Sequence, residues 1–436
     1  MKIFPTIITI IFSLSIVNIS FGQELYIKDT TKNSETRKYA PMEIIVKFEP
    51  GVSSELVREI NKKHGAAVIK TSRFAGFKIL KIPKGRTVEQ MVAIYNKNPN
   101  IEYAEPNFIA HTFMEPNDPL YIPYQWHLDN PVNGGIGMEQ AWDVSIGAGV
   151  VVAVIDTGVA YEDHEEGGVP IGKSGKFSSS VSYKQAPDLA DTHFFVPSGS
   201  DLVNNDDHPN DDAGHGTHVA GTIAQSTNNG LGVAGVAYGS TIMPVKVLNS
   251  GGSGTYDDIA DGIYLAADNG ADIINMSLGS FSGSTTLKDA LSYAHANGVT
   301  IVCASGNDGT YYNGSLTVSY PAAYDECIAV GATRYDETVS YYSNGGDALD
   351  LSAPGGDINV DQNGDGYVDG VLQQTHNGAD YATFNYYFYQ GTSMAAPHVA
   401  GVAALIIAKG IATTPDGVRE VLQSTAKDKT ADDWTN

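Results

Sequence analysis

Three polar side chains stand at the borders of apolar runs in this 436-residue chain: Asp156 closes VVVAVID, His215 opens HGTHVAGTIA, and Ser393 precedes MAAPHVAGVAALI. A serine hydroxyl is a weak nucleophile near neutral pH, so an imidazole must take its proton and later pass it to the leaving group. A carboxylate can hold that imidazole in the required tautomer and stabilise its cation. Asp, His and Ser in this order therefore predict a triad for acyl transfer.

Each of the three residues also has an ordinary structural interpretation. Asp156 could form a turn at the end of a strand, and His215 and Ser393 could cap the helices that follow them. A carboxylate buried after six apolar residues is costly unless it is hydrogen-bonded, so Asp156 should have a partner. Three such residues at three junctions of strand, loop and helix favour the chemical interpretation over three separate structural ones.

The elements that would position these residues are apolar strands alternating with helices. Strands without polar alternation are covered on both faces, which predicts a doubly wound α/β fold with a mostly parallel sheet flanked by helices. The predicted strands are 150–155, 241–248, 271–278, 299–304 and 327–332. The predicted helices are 215–224, 256–269, 287–297, 393–409 and 415–424.

The N-terminal part has a different organisation. Residues 1–22 have the layout of a secretory signal peptide, with a buried N-terminal strand as the alternative, and residues 23–41 form a polar leader. Residues 42–113 follow a β-α-β-β-α-β order, which indicates a small α+β ferredoxin-like domain. No later segment has eighteen uninterrupted apolar residues, so we expect a secreted, soluble product with no membrane partner.

Charge and cysteine content exclude several classes of function. Residues 24–113 contain 15 Lys and Arg against 10 Asp and Glu, whereas residues 114–436 contain 10 against 40. A polyanion repels nucleic acid and anionic membranes, so cation binding is the better expectation. Cys303 and Cys327 are too few for a disulfide framework; they could pair or remain two separate buried thiols.

Three stretches, IDTGV around Asp156, GHGTHVAGT around His215 and GTSMAAPHVAG around Ser393, resemble the signature motifs of the subtilisin-like serine proteases, or subtilases. The resemblance covers about residues 118–430 and implies a seven-stranded core and an Asp-His-Ser triad. Residues 42–113 are similar to the family's inhibitory prodomain, which leaves 114–436 as the catalytic domain.

Within the second motif, the resemblance makes His218 a packed neighbour of His215. A zinc site formed by the HGTH pair is disfavoured, since no glutamate base stands between the histidines and no third ligand is apparent. Two departures from the family pattern are an apparent insertion within 161–197 and the lack of the usual closing segment, so we expect the C-terminal end to be incomplete.

The resemblance also implies an oxyanion donor and a substrate cleft. Asn307 matches the family's oxyanion asparagine; without the resemblance, it would be a turn residue in a Gly-Asn-Asp-Gly stretch. A substrate would add as a strand beside Ser277, Leu278 and Gly279. The primary pocket is walled by apolar and uncharged residues, so we expect it to prefer a large apolar side chain. The stretch IEYAEPNFIAHTF resembles the end of the family's prodomain, which implies self-cleavage after Phe113. The remaining predicted pocket residues are Ala304, Ser305 and Gly306.

Two groups of oxygen-bearing residues predict structural Ca²⁺. Residues 361–372 follow calcium-loop spacing with Gly366 at position 6, but Leu372 replaces the glutamate at position 12, and a solvated acidic hairpin is the alternative. The predicted side-chain ligands of this loop are Asp361, Asn363, Asp365 and Asp369. By resemblance, a second site would use Asp118, Asp201 and Asn229.

The resulting hypothesis is a secreted, calcium-stabilised serine endopeptidase of broad specificity, made as a self-processing zymogen. Its partners would be peptide and protein substrates and its own prodomain, and it would be a monomer. The alternative from another class is a calcium-binding, protease-shaped module that no longer cuts. That alternative predicts a broken triad or oxyanion position, and the sequence has neither.

Overall fold

The computed structural model describes residues 39–108, 114–129, 133–167, 170–171, 176–177, 180–309 and 317–427. These residues fall into two compact units, with 39–108 in the first and the described residues from 114 onward in the second. The predicted signal peptide, most of the polar leader, Phe113 and the last nine residues lie outside the described part of the chain.

The first unit is a four-stranded antiparallel sheet with two helices, as predicted. Ser53 accepts a hydrogen bond from the Leu56 N–H at the start of the first helix, and Thr87 forms a capping box with Gln90 at the second. The sheet order is β2-β3-β1-β4. The elements are β1 (Tyr39–Phe48), α1 (Ser54–Lys63), β2 (Ala67–Thr71), β3 (Lys78–Lys81), α2 (Val88–Asn96) and β4 (Ile101–Phe108).

The second unit is built on a seven-stranded sheet in the order β10-β11-β5-β12-β13-β14-β15, and all of its strand pairs are parallel. The predicted doubly wound fold is confirmed. The strands of this sheet are β5 (Val151–Asp156), β10 (His193–Phe194), β11 (Thr241–Lys246), β12 (Ile273–Met276), β13 (Thr300–Ala304), β14 (Cys327–Thr333) and β15 (Leu351–Pro354).

Helices cover both faces of this sheet. One apolar cluster includes α6 and α9, and the other includes α7 and α8. The helices are α3 (Tyr121–Tyr124), α4 (Trp126–Asp129), α5 (Met138–Trp142), α6 (His215–Ala224), α7 (Tyr256–Asp268), α8 (Thr285–Ala296), α9 (Thr392–Lys409) and α10 (Pro415–Thr425).

Smaller strands pair outside the main sheet. They are antiparallel pairs of β6 (His164–Glu166) with β9 (Val181–Tyr183), β7 (Pro170–Ile171) with β8 (Lys176–Phe177), and β16 (Val371–Thr375) with β17 (Asn385–Tyr389). The two edge strands of the main sheet, β10 and β15, were not predicted, because two and four residues without a long apolar run give little sequence signal.

The core contains the longest apolar helix and both cysteines. Within the described residues, α9 is the single helix long and apolar enough to cross a membrane, but 78% of it is buried inside the protein, as expected for a core helix. Cys303 and Cys327 are buried free thiols, in agreement with the second of the two alternatives.

Strand order places the candidate site at one end of the sheet. After β5, the chain forms β10 and β11 on one side of that strand and then crosses to its other side to form β12. In open α/β sheets, ligands bind at such a switch point, outside the carboxyl ends of the strands. Asp156 ends β5, and Ser277 directly follows β12.

Candidate active site

Asp156 is fixed by the backbone around it. The residue has no solvent exposure, and its Oδ1 accepts a hydrogen bond of 2.7 Å from the Thr157 N–H. Its main-chain carbonyl accepts from the N–H groups of Val247 (2.9 Å) and Leu248 (3.1 Å), just beyond β11. A carboxylate held in this way has little rotational freedom, so it can orient a partner.

His215 is that partner. Its Nδ1 lies 2.8 Å from Asp156 Oδ1, and its side chain keeps 31% exposure. Burial lowers the pKa of the ring, but the Asp156 carboxylate raises it by more, so the pKa lies above its usual 6.5. With Nδ1 bonded to the carboxylate, Nε2 is left to exchange a proton.

The glycines of the His215 motif permit this close contact. A Cβ on Gly216 would lie 2.1 Å from Gly158 O and 3.2 Å from Asp156 Oδ1, which is too close for any side chain.

His218, predicted as a packed neighbour, is buried and stacks on Tyr389 with ring centroids 4.4 Å apart. The two histidines of the motif therefore occupy different environments.

Ser393 does not cap a helix. Helix α9 begins at Thr392 with Gly391 at its N-cap, so Ser393 lies in the first turn, and the capping interpretation is wrong. Its Oγ donates to Ser277 O at 3.2 Å, while Ser277 Oγ donates to Ser393 O at 2.8 Å. The second bond is possible because Pro397, four residues on, has no N–H to give to that carbonyl.

Asn307 is oriented by Thr392. Its Oδ1 accepts from the Thr392 N–H at 2.8 Å and from the Thr392 hydroxyl at 3.0 Å. The Nδ2 amide is therefore the free end of an exposed side chain. Among the described residues the first-turn N–H of Ser393 has no acceptor, as is usual at a helix start. The two groups can together donate to an oxyanion.

Two adjoining cavities contain these groups. One, of about 650 Å³, is lined by His215, and the other, of about 410 Å³, is lined by Ser393 and Asn307. Both share the segment 277–280, and the described residues show no hydrogen bond between Ser393 and His215. The structure thus joins Asp156 to His215 and places Ser393 on the neighbouring cavity.

The shared segment has an open edge. The N–H and C=O groups of Leu278 and Gly279 make no main-chain hydrogen bond within the described residues, whereas Ser280 pairs with Tyr320. Residues 252–255 also line the larger cavity. The sequence did not reveal that wall, because SGGSGT has only the composition of a loop.

The predicted pocket walls require two corrections. Ala304 and Gly306 line the smaller cavity, but Ser305 does not; its side chain is buried and donates to Asn344 O at 3.0 Å. Alternate residues of an extended segment point to opposite sides, which explains the difference. The cavity is also not entirely uncharged, because Asp308 lines it.

Lys246, at the end of β11, was not identified from the sequence. It is fully buried, and its Nζ donates to Thr157 O (2.6 Å), Leu248 O (3.0 Å) and Asp212 Oδ1 (2.6 Å). A buried ammonium with three acceptors holds the segment after Asp156 to the segment before His215. A lysine inside an apolar strand is the signal that could have revealed it.

The predicted set of Asp118, Asp201 and Asn229 is not brought together. Asp118 Oδ1 accepts from the Asn229 N–H at 3.1 Å, but Asp201 bonds to Asn204 and its backbone is bridged to Lys246. The assignment of Asp201 to this set is therefore wrong. The apparent insertion after β5 obscured which carboxylate lies beside Asp118 and Asn229.

The carboxylate that lies beside Asp118 and Asn229 is Asp188, which the sequence did not reveal. Asp188 is fully buried, and its Oδ1 accepts from Asn229 Nδ2 at 3.0 Å. Burial, with a contribution from the nearby Asp118 carboxylate, raises the pKa of Asp188 to about 7. Two carboxylates at one buried place favour a counter-cation.

The loop 361–369 does bring its predicted residues together. Asp361 accepts from the N–H groups of Gly364 (2.7 Å) and Gly366 (3.1 Å), and Asn363 Nδ2 donates to Asp365 Oδ2 at 3.0 Å. Asp369 is 1% exposed, and its Oδ1 has no hydrogen-bond partner among the described residues. Burial and the carboxylates of the loop raise its pKa to about 6.

Comparisons with known proteins give a consistent result. A family model described as the Subtilase family matches residues 147–436, and one described as the Fervidolysin N-terminal prodomain matches residues 27–107. The Thermophilic serine proteinase of Bacillus sp. (strain AK1) is 38% identical over 403 residues, which cover 92% of this chain and 86% of that protein.

Thermitase of Thermoactinomyces vulgaris is 36% identical over 311 residues, which cover 71% of this chain and 91% of that protein. Among solved structures, a protease of Pseudoalteromonas arctica PAMC 21717 superposes with a TM-score of 0.54 at 35% identity. That superposition covers 72% of this chain and 94% of the other.

Proposed function

Because this chain belongs to the subtilase family of serine proteases, we propose that it is a secreted, self-processing endopeptidase with Ser393 as nucleophile, His215 as general base and acid, and Asp156 as the residue that orients His215. The observation that carries the proposal is the 2.8 Å bond between the buried Asp156 and His215, beside a segment that also borders Ser393. The shared segment is where a peptide could meet all three groups.

In the proposed reaction, a peptide adds as a strand to the open edge of Leu278 and Gly279. Ser393 Oγ turns from Ser277 O towards His215, gives up its proton to Nε2 and attacks the scissile carbonyl carbon. The C–N bond then breaks as His215 returns the proton to the amine, leaving an ester on Ser393. Water, deprotonated by the same imidazole, hydrolyses that ester and restores the serine.

The negative charge on the attacked carbonyl oxygen is met by two fixed donors. These are the Ser393 N–H and the Asn307 amide, whose orientation is set by Thr392. Donors fixed before the reaction stabilise charge without having to reorganise, and electrostatic stabilisation of this kind usually lowers the barrier more than any other single effect.

The smaller cavity supports broad specificity with a preference for a large apolar residue before the cut bond. Its volume of about 410 Å³ accommodates an aromatic side chain, and Ala304 and Gly306 add no bulk. Asp308 gives this pocket one acidic position. Peptides with a basic side chain before the cut bond are therefore the substrates to compare with apolar ones. Main-chain pairing along the open edge would be tolerant of sequence.

The zymogen part of the proposal rests on the N-terminal unit. Its match to a prodomain family and its excess of basic residues, against the acidic second unit, suit an intramolecular inhibitor and folding aid. We assign 1–22 to the signal peptide, 23–41 to a leader, 42–113 to the prodomain and 114–436 to a monomeric catalytic domain. Cleavage after Phe113 would release the enzyme.

Expression of Ser393→Ala tests self-processing. We expect the variant to be secreted as an uncut precursor. In the parent and in a control, Ser424→Ala on α10, mass spectrometry should find a product whose N-terminus is the residue after Phe113. A Ser393→Ala product cut at the same bond in a protease-deficient host would overturn self-cleavage.

Calcium is the proposed structural cofactor at two places. In the loop 361–369 the unpartnered, buried Asp369 Oδ1 and the nearby oxygens of Asp361 and Asp365 fit a hard cation, although Leu372 replaces the glutamate ligand at position 12. At the second place, Asp118, Asp188 and Asn229 would hold the ion. In both, bound calcium would offset repulsion between carboxylates, and at the second place it would also tie segments together that are distant in the chain.

Removal of calcium tests this assignment. A cation that binds only the folded chain raises its stability, so a chelator should lower the melting temperature of Ser393→Ala protein. Asp369→Asn and Asp188→Asn should each remove part of the calcium-dependent rise, whereas Asp416→Asn on α10 should not. Melting temperatures that do not depend on free calcium would contradict both sites.

A further inference from the structure

Two histidines and a glutamate meet outside the candidate active site. One ligand atom from each of Glu162, His164 and His208 lies within 4.8 Å of the other two. The rings of His164 and His208 stack, with centroids 3.9 Å apart and planes 19° apart. All three residues are partly buried, which limits the freedom of their side chains.

The hydrogen bonds around this cluster orient it and leave ligand atoms available. Glu162 Oε1 accepts from the Tyr161 hydroxyl (2.7 Å) and Asn210 Nδ2 (3.1 Å) and lies 2.8 Å from His208 Nδ1. Among the described residues, Glu162 Oε2 and both ring nitrogens of His164 have no hydrogen-bond partner. A cation can therefore bind while Tyr161 and Asn210 continue to position the carboxylate.

The chemistry of the three ligands selects the type of cation. Ca²⁺ and Mg²⁺ prefer sets made only of oxygen, whereas imidazole suits Zn²⁺ and its first-row neighbours. Tetrahedral Zn²⁺ with bonds of 2.0–2.1 Å needs its ligand atoms about 3.4 Å apart. Atoms already within 4.8 Å reach that spacing through small rotations of side chains that are not fully packed.

The cluster joins the two segments that carry the catalytic pair. Glu162 follows β5, which ends in Asp156, and His208 precedes α6, which begins with His215. The same segments are linked by a hydrogen bond of 3.0 Å from the Val159 N–H to Pro209 O. We propose that Glu162, His164 and His208 form a site for Zn²⁺ or a similar transition-metal cation, which clamps these two segments together.

Zinc titration of an untagged, full-length Ser393→Ala protein tests the site. Saturating calcium is kept present to fill oxygen-only sites, and binding is followed by calorimetry and by the melting temperature. We expect one zinc ion per chain and a higher melting temperature with zinc. His164→Ala and His208→Ala should each weaken binding at least about tenfold, and Glu162→Gln should also weaken it.

Two control variants separate this site from others. His295→Ala, on helix α8 and outside the cluster, should bind zinc as the parent does. His215→Ala should also retain zinc, because the proposed site does not include His215. Loss of zinc in this variant would mean that the ion binds at the catalytic pair. Melting without zinc shows whether each variant is folded. Equal zinc affinity in folded His164→Ala and parent, or loss of binding in His215→Ala, would overturn the proposal.

Discussion

The two halves of the candidate site differ in how far they are assembled. Asp156 is fully buried and already bonded to His215, whereas Asn307 is exposed and Ser393 hydrogen-bonds to Ser277 O instead of to the imidazole. A buried carboxylate must have its partners before substrate arrives, or folding would be costly. The proposed nucleophile and oxyanion donors must instead face the cavity, where the substrate would supply the last contact.

The largest expected effect comes from disrupting the assembled half. Asp156→Asn keeps the shape of the side chain but offers an N–H to His215, which favours the wrong tautomer. We expect kcat to fall about 10⁴-fold. The measurement is hydrolysis of a peptide substrate, with Asp163→Asn, a surface carboxylate paired with Lys184, as the control. Comparable activity in the two folded variants would contradict the role of Asp156.

The buried support of the same half is expected to dominate stability. Lys246→Met leaves Asp212 and two carbonyls without their donor, so the free energy of unfolding should fall by about 3–5 kcal/mol. Lys184→Met removes an exposed pair with Asp163 and should cost far less, because solvent screens that pair. Urea unfolding measures the free energy of unfolding of both variants in a Ser393→Ala background. Equal losses of that free energy would contradict the claim that the buried pair contributes more than the exposed one.

A smaller effect is expected from the open half. Asn307→Ala should lower kcat about 10²–10³-fold with little change in KM. This range is the typical cost of losing one oxyanion donor, and the value itself was obtained with subtilisin. The reason is that its amide meets charge that develops only after attack. Asn297→Ala, at the end of α8, is the control, and a rise in KM with unchanged kcat would indicate a binding role instead.

The smallest expected effect is a shift in pH dependence. His215 must be neutral to accept a proton, and Asp156 raises its pKa above 6.5. Activity should therefore rise with pH through a midpoint above 6.5 in the profile of kcat/KM. In Asp156→Asn the residual activity should rise at a lower pH, because the carboxylate that stabilises the cation is gone. An unchanged midpoint would mean that the group that titrates in the activity profile is not His215.

Much of this arrangement could be predicted from the sequence, because strongly apolar strands and glycine-rich junctions leave clear local patterns. Helix α6 begins and ends where it was predicted, and Asp156 has the partner that its burial requires. The reciprocal bonds between Ser277 and Ser393 could not be predicted, since they join residues far apart in the chain. Pro397 was visible, but its consequence depends on what packs against the helix.

The proposed cation sites show the same limit of prediction from sequence. The loop 361–369 is local, and its spacing alone identified residues that lie together in the structure. The pairing of Asn229 with Asp188 is not local, and the sequence pointed to Asp201 instead. Patterns within one segment predict structure well, whereas the choice between acidic residues on different loops depends on the path of an insertion.

Covalent labelling tests most directly whether Ser393 is a nucleophile activated by His215. The mature protein is treated with a serine-directed fluorophosphonate, and the modified residue is found by peptide mass spectrometry. We expect one adduct, on Ser393, that is lost in folded His215→Ala. Absence of an adduct on Ser393, or equal labelling of the parent and His215→Ala, would contradict this role.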